Sequence, residues 1–411
     1  MRVTTMRRID RWVGVPVCAA LTLVRKLKRE AEPSSPPSSI VFIKLAEQGS
    51  TVLAWSAISN AIDRVGGRDR VYFVVFEENR PVLDAVEWIA RENILSIRTD
   101  NLFKLAVDVM SVVRRLRRAG VDAAIDLEFF SRSSTILSFL SGARRRVGFH
   151  AFSGEASYRG DLCTHRISFN PYLHTSQAFE ILVDALDRSP TDLPAYGHHP
   201  PVPRALPPFC PTPDDLSAVR RLLDDAGCAG SAVVLLNANA SDLVPLRRWP
   251  LDRYVELARR LLAKYPECRV VMTGAASERS AAERLVEEVG SRRCVSLAGR
   301  TAFRHLLTLY TVSEVLVTND SGPAHFASLT PIDVVTLFGP ETPAAFGALS
   351  PRSHPLSAGI VCSPCLNAFN DRQSPCRNNL CMQALTVDQV FEEAARAYDR
   401  RLISSRTSLG S

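Results

Sequence analysis

The sequence predicts an α/β protein built from two doubly wound, Rossmann-like domains. From residue 40 onward, short apolar runs alternate with amphipathic stretches, and a proline-rich segment at 198–213 interrupts this rhythm before it restarts. Such alternation is typical of parallel strands joined by crossover helices. With 411 residues, of which 46% are hydrophobic, the chain is long enough to give each domain its own core.

The apolar runs predict particular strands in each half of the chain. They lie at 40–45, 71–76, 94–97 and 123–129 before the proline-rich segment, and at 232–239, 269–274, 294–299, 314–320 and 333–339 after it. Ligands of doubly wound sheets bind beyond the carboxyl ends of the strands, so the two domains are expected to face a central cleft. A last helix is predicted from Thr386, which forms a capping box with Gln389.

These signals divide the chain into four parts. The parts are a basic and apolar N-terminal segment (1–32), a first Rossmann-like domain (33–200), a second Rossmann-like domain (201–385) and a C-terminal helix and tail (386–411). The whole net charge of +7 lies in residues 1–29, which carry eight basic side chains and one acidic side chain. Because the remaining chain is balanced, we predict no nucleic-acid partner.

The N-terminal segment contains an apolar run of 13 residues, Trp12 to Val24, with basic residues on both sides. A helix that spans a bilayer needs about 20 apolar residues, so this run is too short. A signal peptide is disfavoured because basic residues follow where small residues at a cleavage site would be expected. The pattern favours an anchor lying in the membrane surface, with a frayed or packed N-terminal helix as the alternative.

A turn at 320–325 follows one predicted strand and opens a helix. Its residues are Asp320, Ser321, Gly322, Pro323, Ala324 and His325. Backbone N–H groups and the positive end of a helix suit a diphosphate, and Gly322 would let a phosphate approach the backbone. Ser321 and His325 would add side-chain donors. The alternative is a plain strand-to-helix connection in which Asp320 caps the helix and His325 is packed.

Four of the ten cysteines form a cluster near the end of the second domain. They are Cys362, Cys365, Cys376 and Cys381. Four thiolates at this spacing could hold a structural zinc ion or an iron–sulfur cluster; packed thiols and redox use are the alternatives. Polar residues between them, Asn367, Asn370, Arg372 and Asn378, are candidates to face the cleft and contact a ligand there.

Four segments together resemble glycosyltransferase family 9, the heptosyltransferases that build the lipopolysaccharide core. They are residues 40–58, 123–150, 235–261 and 316–340, and the resemblance extends from about residue 40 to 390. It implies a GT-B fold with an acceptor-binding N-terminal half and a C-terminal half that binds a nucleotide-diphosphate sugar. By default it implies inverting, metal-independent transfer of heptose from ADP-heptose to a lipopolysaccharide core, or to another lipid-linked or polysaccharide acceptor. No cofactor is then required, and the location would be the cytoplasmic face of the bacterial inner membrane.

The resemblance also implies roles for particular residues in the donor half. Arg247 or Arg248 corresponds to the family's basic phosphate contact, and Glu278 to the carboxylate that binds the ribose of the nucleotide. The alternatives are solvated arginines and a glutamate that is favoured only by the helix dipole.

In the first loop, family members that transfer heptose carry an aspartate after the glycine, and it is thought to act as general base. Here Ser50 follows Gly49, and a serine hydroxyl is a poor base near neutral pH. Either Glu47 takes this role, or the acceptor arrangement differs, or catalysis has been lost. Asp126 and Glu128 are further candidates for the base. Rival functions are a nucleotide-sugar epimerase on the same fold and a catalytically silent, metal-holding membrane scaffold.

Overall fold

The computed structural model describes residues 3–28, 35–154, 156–194, 199–240 and 244–408, and it divides into two compact units. The first unit comprises Met1–Ala205 and Leu366–Gln373, and the second comprises Leu206–Cys365 and Ser374–Ser411. The chain passes from one unit to the other within the predicted proline-rich segment. The predicted boundary between residues 32 and 33 lies outside the described residues.

Within its described residues, the first unit contains six parallel strands in the order β3-β2-β1-β4-β5-β6. The strands are β1 (Ile40–Ile43), β2 (Val71–Phe76), β3 (Ile94–Ile97), β4 (Ala123–Asp126), β5 (Arg145–Phe149) and β6 (His165–Ile167). The α-helices are α1 (Val3–Trp12), α2 (Gly14–Lys28), α3 (Gln48–Leu53), α4 (Trp55–Val65), α5 (Arg80–Val86), α6 (Leu102–Ala119), α7 (Arg132–Leu140) and α8 (Thr175–Asp184). This is the Rossmann strand order, with the order reversing between β1 and β4.

The described part of the second unit repeats the same order in β12-β11-β10-β7-β8-β9, again with parallel pairs. The strands are β7 (Ala232–Asn237), β8 (Cys268–Met272), β9 (Cys294–Ser296), β10 (Val315–Asn319), β11 (Asp333–Phe338) and β12 (Ser353–Ser357). The α-helices are α9 (Pro213–Asp225), α10 (Leu251–Lys264), α11 (Arg279–Val289), α12 (Phe303–Thr311), α13 (Gly322–Ala327), α14 (Pro343–Phe346), α15 (Leu380–Gln383) and α16 (Val387–Ser408). The prediction of two doubly wound α/β units is therefore confirmed.

The core of the second unit lies between the sheet and helices α10, α11 and α16. Trp249, Tyr254 and Tyr398 are its largest buried side chains. The predicted capping box is present at the start of α16, where the backbone N–H of Thr386 donates to Oε1 of Gln389 over 2.9 Å. The last helix therefore closes the core of the second unit.

The N-terminal helices α1 and α2 pack against α7 of the first unit. Cys18 of α2 is fully buried, and the hydroxyl of Thr22 accepts a hydrogen bond from the backbone N–H of Asp161 over 2.9 Å. The carboxylate of Asp10 accepts from the backbone N–H groups of Arg132 (3.1 Å) and Ser133 (2.8 Å), so it caps the start of α7. None of the helices among the described residues is long and apolar enough to cross a bilayer.

Candidate functional site

In the second unit, the carboxyl ends of β7 and β10 meet at the point where the strand order reverses. Asn319, the last residue of β10, is fully buried, and its amide donates to the carbonyls of Ala238 (3.0 Å) and Asn239 (3.2 Å). The oxygen of the same side-chain amide, Oδ1, accepts from the backbone N–H of Trp249 (3.0 Å) and from the hydroxyl of Tyr254 (3.1 Å). Burial raises the pKa of Tyr254, so this hydroxyl stays protonated and remains a donor. Asn319 thereby ties three segments together at this edge.

The turn at 320–325 lies directly after Asn319. Ser321 precedes the helix in an extended conformation, α13 begins at Gly322, and Pro323 occupies its second position. The hydroxyl of Ser321 donates to the carbonyl of Asn319 over 3.2 Å and does not cap the helix. Ala324 and His325 follow in the same short helix, and both are buried. The predicted diphosphate turn is therefore a tight, largely buried connection.

The two neighbouring arginines Arg247 and Arg248 have different surroundings. The guanidinium of Arg247 pairs with the carboxylate of Glu341 and lies 3.6 Å from that of Asp320, and both acidic side chains are almost completely buried. The guanidinium of Arg248 instead donates to the carbonyl of Ala240 over 2.9 and 3.2 Å. Arg247 therefore neutralises buried acids, whereas Arg248 is the exposed cation of the pair.

A cavity of about 480 Å³ lies beyond the carboxyl ends of β7 and β8. Its polar lining consists of Asn239, Arg248, Thr273, Ser277 and Glu278. Apolar side chains of β7, β8, α10 and α11 complete the wall. Clefts of this size and mixed lining are typical of sites for small molecules.

Glu278 has two roles in this structure. It ends a short 3-10 turn at Ala276–Glu278, and its carboxylate accepts from the backbone N–H of Ala275 over 2.7 Å. The carboxylate thus caps the start of this turn, and the residue also lines the cavity beside Arg248.

In the first unit, Glu47 lies in the loop between β1 and α3 and adopts a left-handed backbone with φ 68°. Its carboxylate pairs with the guanidinium of Arg372 and lies 3.6 Å from Nζ of Lys44. Gly49 and Ser50 are buried in the first turn of α3, and the hydroxyl of Ser50 donates to Glu47 over 3.4 Å. The candidate base and the serine that replaces the family aspartate therefore contact each other.

Of the further candidates, Glu128 holds this loop, whereas Asp126 pairs with an arginine elsewhere in the unit. One carboxylate oxygen of Glu128 accepts from the backbone N–H groups of Leu45 (2.7 Å) and Ala46 (3.0 Å), and the other pairs with Lys44 at 3.0 Å. Asp126 is fully buried in an ion pair with Arg159. Glu47 is the most exposed of the three carboxylates, at 23% against 13% for Glu128 and 0% for Asp126, so it is the better placed candidate.

The predicted cysteine cluster does not form a ligand set in this structure. Cys362 and Cys376 are exposed, Cys365 is half-buried, and Cys381 belongs to the hydrophobic core, where burial raises the pKa of its thiol. Across the described ranges, no three His, Cys, Asp or Glu side chains are arranged to hold a metal ion. The metal prediction therefore has no support from the placement of these thiols.

Several polar residues at these edges were not singled out from the sequence. They are Lys44, Arg159, Asn239, Thr273, Asn319 and Glu341. The available signal was a polar residue that ends an apolar strand, as Asn319 does, or directly follows one, as Lys44 and Thr273 do. Nothing local distinguishes Arg159 or Glu341, because their partners lie far away in the sequence.

Two parallel sheets of Rossmann order, with a mixed polar cavity at the carboxyl edge of the second, define the class of GT-B proteins. The model of glycosyltransferase family 9 (heptosyltransferase) matches residues 109–374. The chain therefore belongs to glycosyltransferase family 9.

Individual relatives are similar to parts of the chain or to its fold. Lipopolysaccharide heptosyltransferase 2 of Salmonella typhimurium is 33% identical over 102 residues, which is 24% of this chain and 29% of that protein. The structure of E. coli ADP-heptose lipopolysaccharide heptosyltransferase II covers 88% of this chain and 99% of its own, with a TM-score of 0.64 and 19% identity. The structure of the iron-containing dodecameric glycosyltransferase TibC of enterotoxigenic E. coli H10407 covers 90% of this chain and 78% of its own, with a TM-score of 0.52 and 11% identity. The match to the curated relative thus spans less than a third of its length, and the two structures show the fold.

Proposed function

We propose that the protein is an inverting glycosyltransferase that moves heptose from ADP-heptose to a lipopolysaccharide core. The cavity at the carboxyl edge of the second sheet carries this proposal, because it combines an exposed arginine with a glutamate. Membership of family 9 and the names of the relatives, which are heptosyltransferases, support the sugar and the acceptor. Another lipid-linked or polysaccharide acceptor is the alternative.

The cavity accommodates the nucleoside, with Glu278 accepting hydrogen bonds from the ribose hydroxyls. Arg248 contacts the diphosphate, because it is the exposed arginine and lines the cavity. The turn at 320–325 lies next to this cavity through the hydrogen bonds of Asn319 to Ala238 and Asn239. The N–H groups of Asp320 and Ala324 already donate to the carbonyls of Leu337 and Ser321, so in this proposal Ser321 and Gly322 present their N–H groups to the leaving phosphate. His325 is a further donor, and Asp320 orients Arg247 rather than the ligand.

The reaction forms one bond and breaks one bond at the anomeric carbon. The acceptor hydroxyl oxygen attacks this carbon, and its bond to the diphosphate breaks, so that ADP leaves with the bonding electron pair. Glu47 takes the proton of the attacking hydroxyl as general base. Negative charge develops on the departing diphosphate, where Arg248 and backbone N–H groups stabilise it. Gly49 and Ser50 shape the loop that presents Glu47.

The N-terminal helices support a peripheral location at the cytoplasmic face of the bacterial inner membrane. Trp12 and Leu27 are each 75% exposed and Leu23 is 61% exposed, although α2 is packed against the first unit along its other side. Exposed basic side chains accompany them at Arg8, Arg11, Lys26 and Lys28. Exposed apolar and basic side chains on the same helices suit a surface of anionic lipid.

The membrane proposal is tested with vesicles and a matched variant. The full chain should sediment with phosphatidylglycerol vesicles and much less with phosphatidylcholine vesicles. The double substitution Leu23→Ser and Leu27→Ser should reduce sedimentation, because these side chains are exposed and the fold does not need them. Equal sedimentation of both proteins would contradict an anchor on α2.

The cysteine cluster stays a separate prediction with no role in this reaction. As placed, the four thiols do not fit a metal, and we derive no step through one. Iron is present in the structural neighbour TibC, so iron and zinc in the purified protein are the elements to measure. One metal ion per chain that is lost in Cys362→Ser and Cys365→Ser would show that the thiols converge around it.

The donor site is tested by calorimetric titration of the full chain with ADP, GDP and UDP. The proposal predicts that one ADP binds per chain and that GDP and UDP bind more weakly. An epimerase would convert the free nucleotide sugar in the absence of an acceptor. A transferase would consume the donor only when the acceptor is present, so reactions with and without acceptor distinguish the two functions. If none of the nucleotides binds, the proposal fails and the silent scaffold becomes the better account.

A further inference from the structure

Residues 366–373 form a loop that belongs to the first unit, although the chain on both sides of it belongs to the second. We call this segment the docking loop. It contacts the rest of the first unit through aromatic packing, a hydrogen bond and an ion pair. The ring of Phe369 packs against Phe130 and Phe169 at centroid distances of 5.8 and 5.4 Å, and the carboxylate of Asp371 accepts from the hydroxyl of Ser157 over 3.1 Å.

The third contact is the ion pair between Arg372 of the docking loop and Glu47. The side chains of Arg372 and Glu47 are 13% and 23% exposed, so the pair is largely shielded from water. Water and salt screen exposed ion pairs, so that these contribute little to stability; a partly buried pair is screened less and attracts more strongly. This contact is therefore more than a surface charge pair.

The backbone on both sides of the ion pair has an unusual conformation. Glu47, Asp371 and Arg372 have φ angles of 68°, 51° and 52°, in the left-handed region that L-residues seldom adopt. Each such residue costs about 1 kcal/mol or more, and it persists only where the surroundings enforce it. The aromatic and polar contacts of the docking loop supply that enforcement next to Arg372.

The other charges near Glu47 give Arg372 a specific electrostatic role. Lys44, at the end of β1, is fully buried and lies 3.6 Å from Glu47, but its Nζ is closer to the carboxylate of Glu128, at 3.0 Å. Two cations thus face two carboxylates, and Lys44 is shared between them. Arg372 supplies a second positive charge beside Glu47.

We propose that Arg372 is the positioning residue for Glu47, and that the docking loop exists to present it. The guanidinium fixes the orientation of the carboxylate and favours its ionised form, which is the form that accepts a proton. The catalytic part of this inference rests on the proposed function, in which Glu47 is the base. Arg372 is then engaged by Glu47, whereas from the sequence it was a candidate to contact a ligand in the cleft.

The kinetic test uses Arg372→Gln and Arg372→Lys, with Asp371→Asn as the control in the same loop. ADP-heptose and lipopolysaccharide from a heptose-deficient strain are the substrates. Arg372→Gln should lower kcat, leave KM for ADP-heptose unchanged, and move the ascending limb of the kcat/KM profile up by about one pH unit. Arg372→Lys should keep the limb near its wild-type position, and Asp371→Asn should not move it.

A second measurement does not depend on turnover. Glutamate labelled with 13C at the side-chain carboxyl is titrated by NMR in the wild type and in Arg372→Gln, and the Glu47 signal is assigned by its absence in Glu47→Gln. The titration midpoint of Glu47 should rise by about one pH unit in Arg372→Gln.

The two measurements separate the possible failures. Absence of transfer by the wild type, together with a raised NMR midpoint, contradicts the proposed function but leaves the pairing of Arg372 with Glu47 intact. An unchanged NMR midpoint in Arg372→Gln overturns the inference, whatever its effect on kcat. Loss of activity without any movement of the pH profile also overturns it, because Arg372 would then be needed only for folding.

Discussion

The two sheets share one strand order, yet their carboxyl edges carry different chemistry. In the second unit, a neutral amide at Asn319 organises the edge, and Arg248 lines an adjacent cavity. In the first unit, ion pairs organise the edge, including Lys44 with Glu128 and the pair at Glu47. The strand order therefore determines where the carboxyl ends of the strands meet, and the residues that follow each strand determine the chemistry of that edge. At the second edge the ion pairs of Arg247 are buried and Arg248 is exposed beside the cavity, whereas at the first edge the paired carboxylate of Glu47 is itself 23% exposed.

The largest effect is expected when the carboxylate of the first edge is removed. Glu47→Gln keeps the size of the side chain but cannot accept a proton, so turnover of ADP-heptose should fall by about 100-fold or more. The affinity for ADP should not change, since the donor residues belong to the other edge. Glu92→Gln is the matched control, because Glu92 is an exposed glutamate of the same unit.

Wild-type turnover in Glu47→Gln would contradict this assignment. The base would then have to be sought elsewhere, or the reaction would need none.

A large effect on stability is expected from Arg247→Ala in the second edge. The substitution leaves Asp320 and Glu341 buried without their cation, and breaking a buried ion pair typically costs about 3–5 kcal/mol. The free energy of unfolding, measured with urea, should fall by this order. A loss below about 1 kcal/mol would show that water reaches these acids and that Arg247 is not their structural partner.

The neighbouring substitution Arg248→Ala should instead affect binding. Arg248 is exposed and its guanidinium donates to the backbone carbonyl of Ala240, so stability should change little. A hydrogen bond to a charged group is worth about 1.5–3 kcal/mol, which corresponds to a loss of roughly tenfold or more in ADP affinity. Calorimetric titration with ADP measures this affinity in the wild type and in Arg248→Ala. If Arg247→Ala and Arg248→Ala weaken ADP binding equally while both remain folded, the division of roles between them is wrong.

The smallest effect concerns the N-terminal helices. Asp10→Ala removes the acceptor for the N–H groups of Arg132 and Ser133, and a lost helix cap typically costs about 1–2 kcal/mol. Asp10→Asn retains an acceptor and should lose less. Both are measured by urea unfolding, and stability equal to the wild type in Asp10→Ala would mean that α1 does not cap α7 in solution.

Much of the fold follows from the sequence, because buried parallel strands are read directly from apolar runs. The run at 71–76 matches β2 completely, and those at 40–45 and 333–339 match β1 and β11 apart from their ends. Three strands were not predicted. They are β5, which contains two arginines and a glycine; β6, which has only three residues; and β12, which contains a proline at the edge of the sheet.

The site was predictable only where its signal is local. The turn at 320–325 and Glu278 both follow predicted strands. In the structure Glu278 lines the cavity, and the turn follows the end of β10. The pairing of Glu47 with Arg372 spans 325 residues of sequence, so no pattern of spacing indicates it. For the same reason the sequence left Arg247 and Arg248 equivalent, because the buried acids that engage Arg247 are known only from the fold.

The most direct test of the central claim is the transfer reaction itself. The full chain is incubated with ADP-heptose and lipopolysaccharide from a heptose-deficient strain, and the mass of the lipopolysaccharide is measured. We expect the acceptor to gain the mass of one heptose residue, ADP to be released in equal amount, and Glu47→Gln to prevent both. Release of ADP without any gain in acceptor mass, or no reaction of a protein that binds ADP, would contradict it.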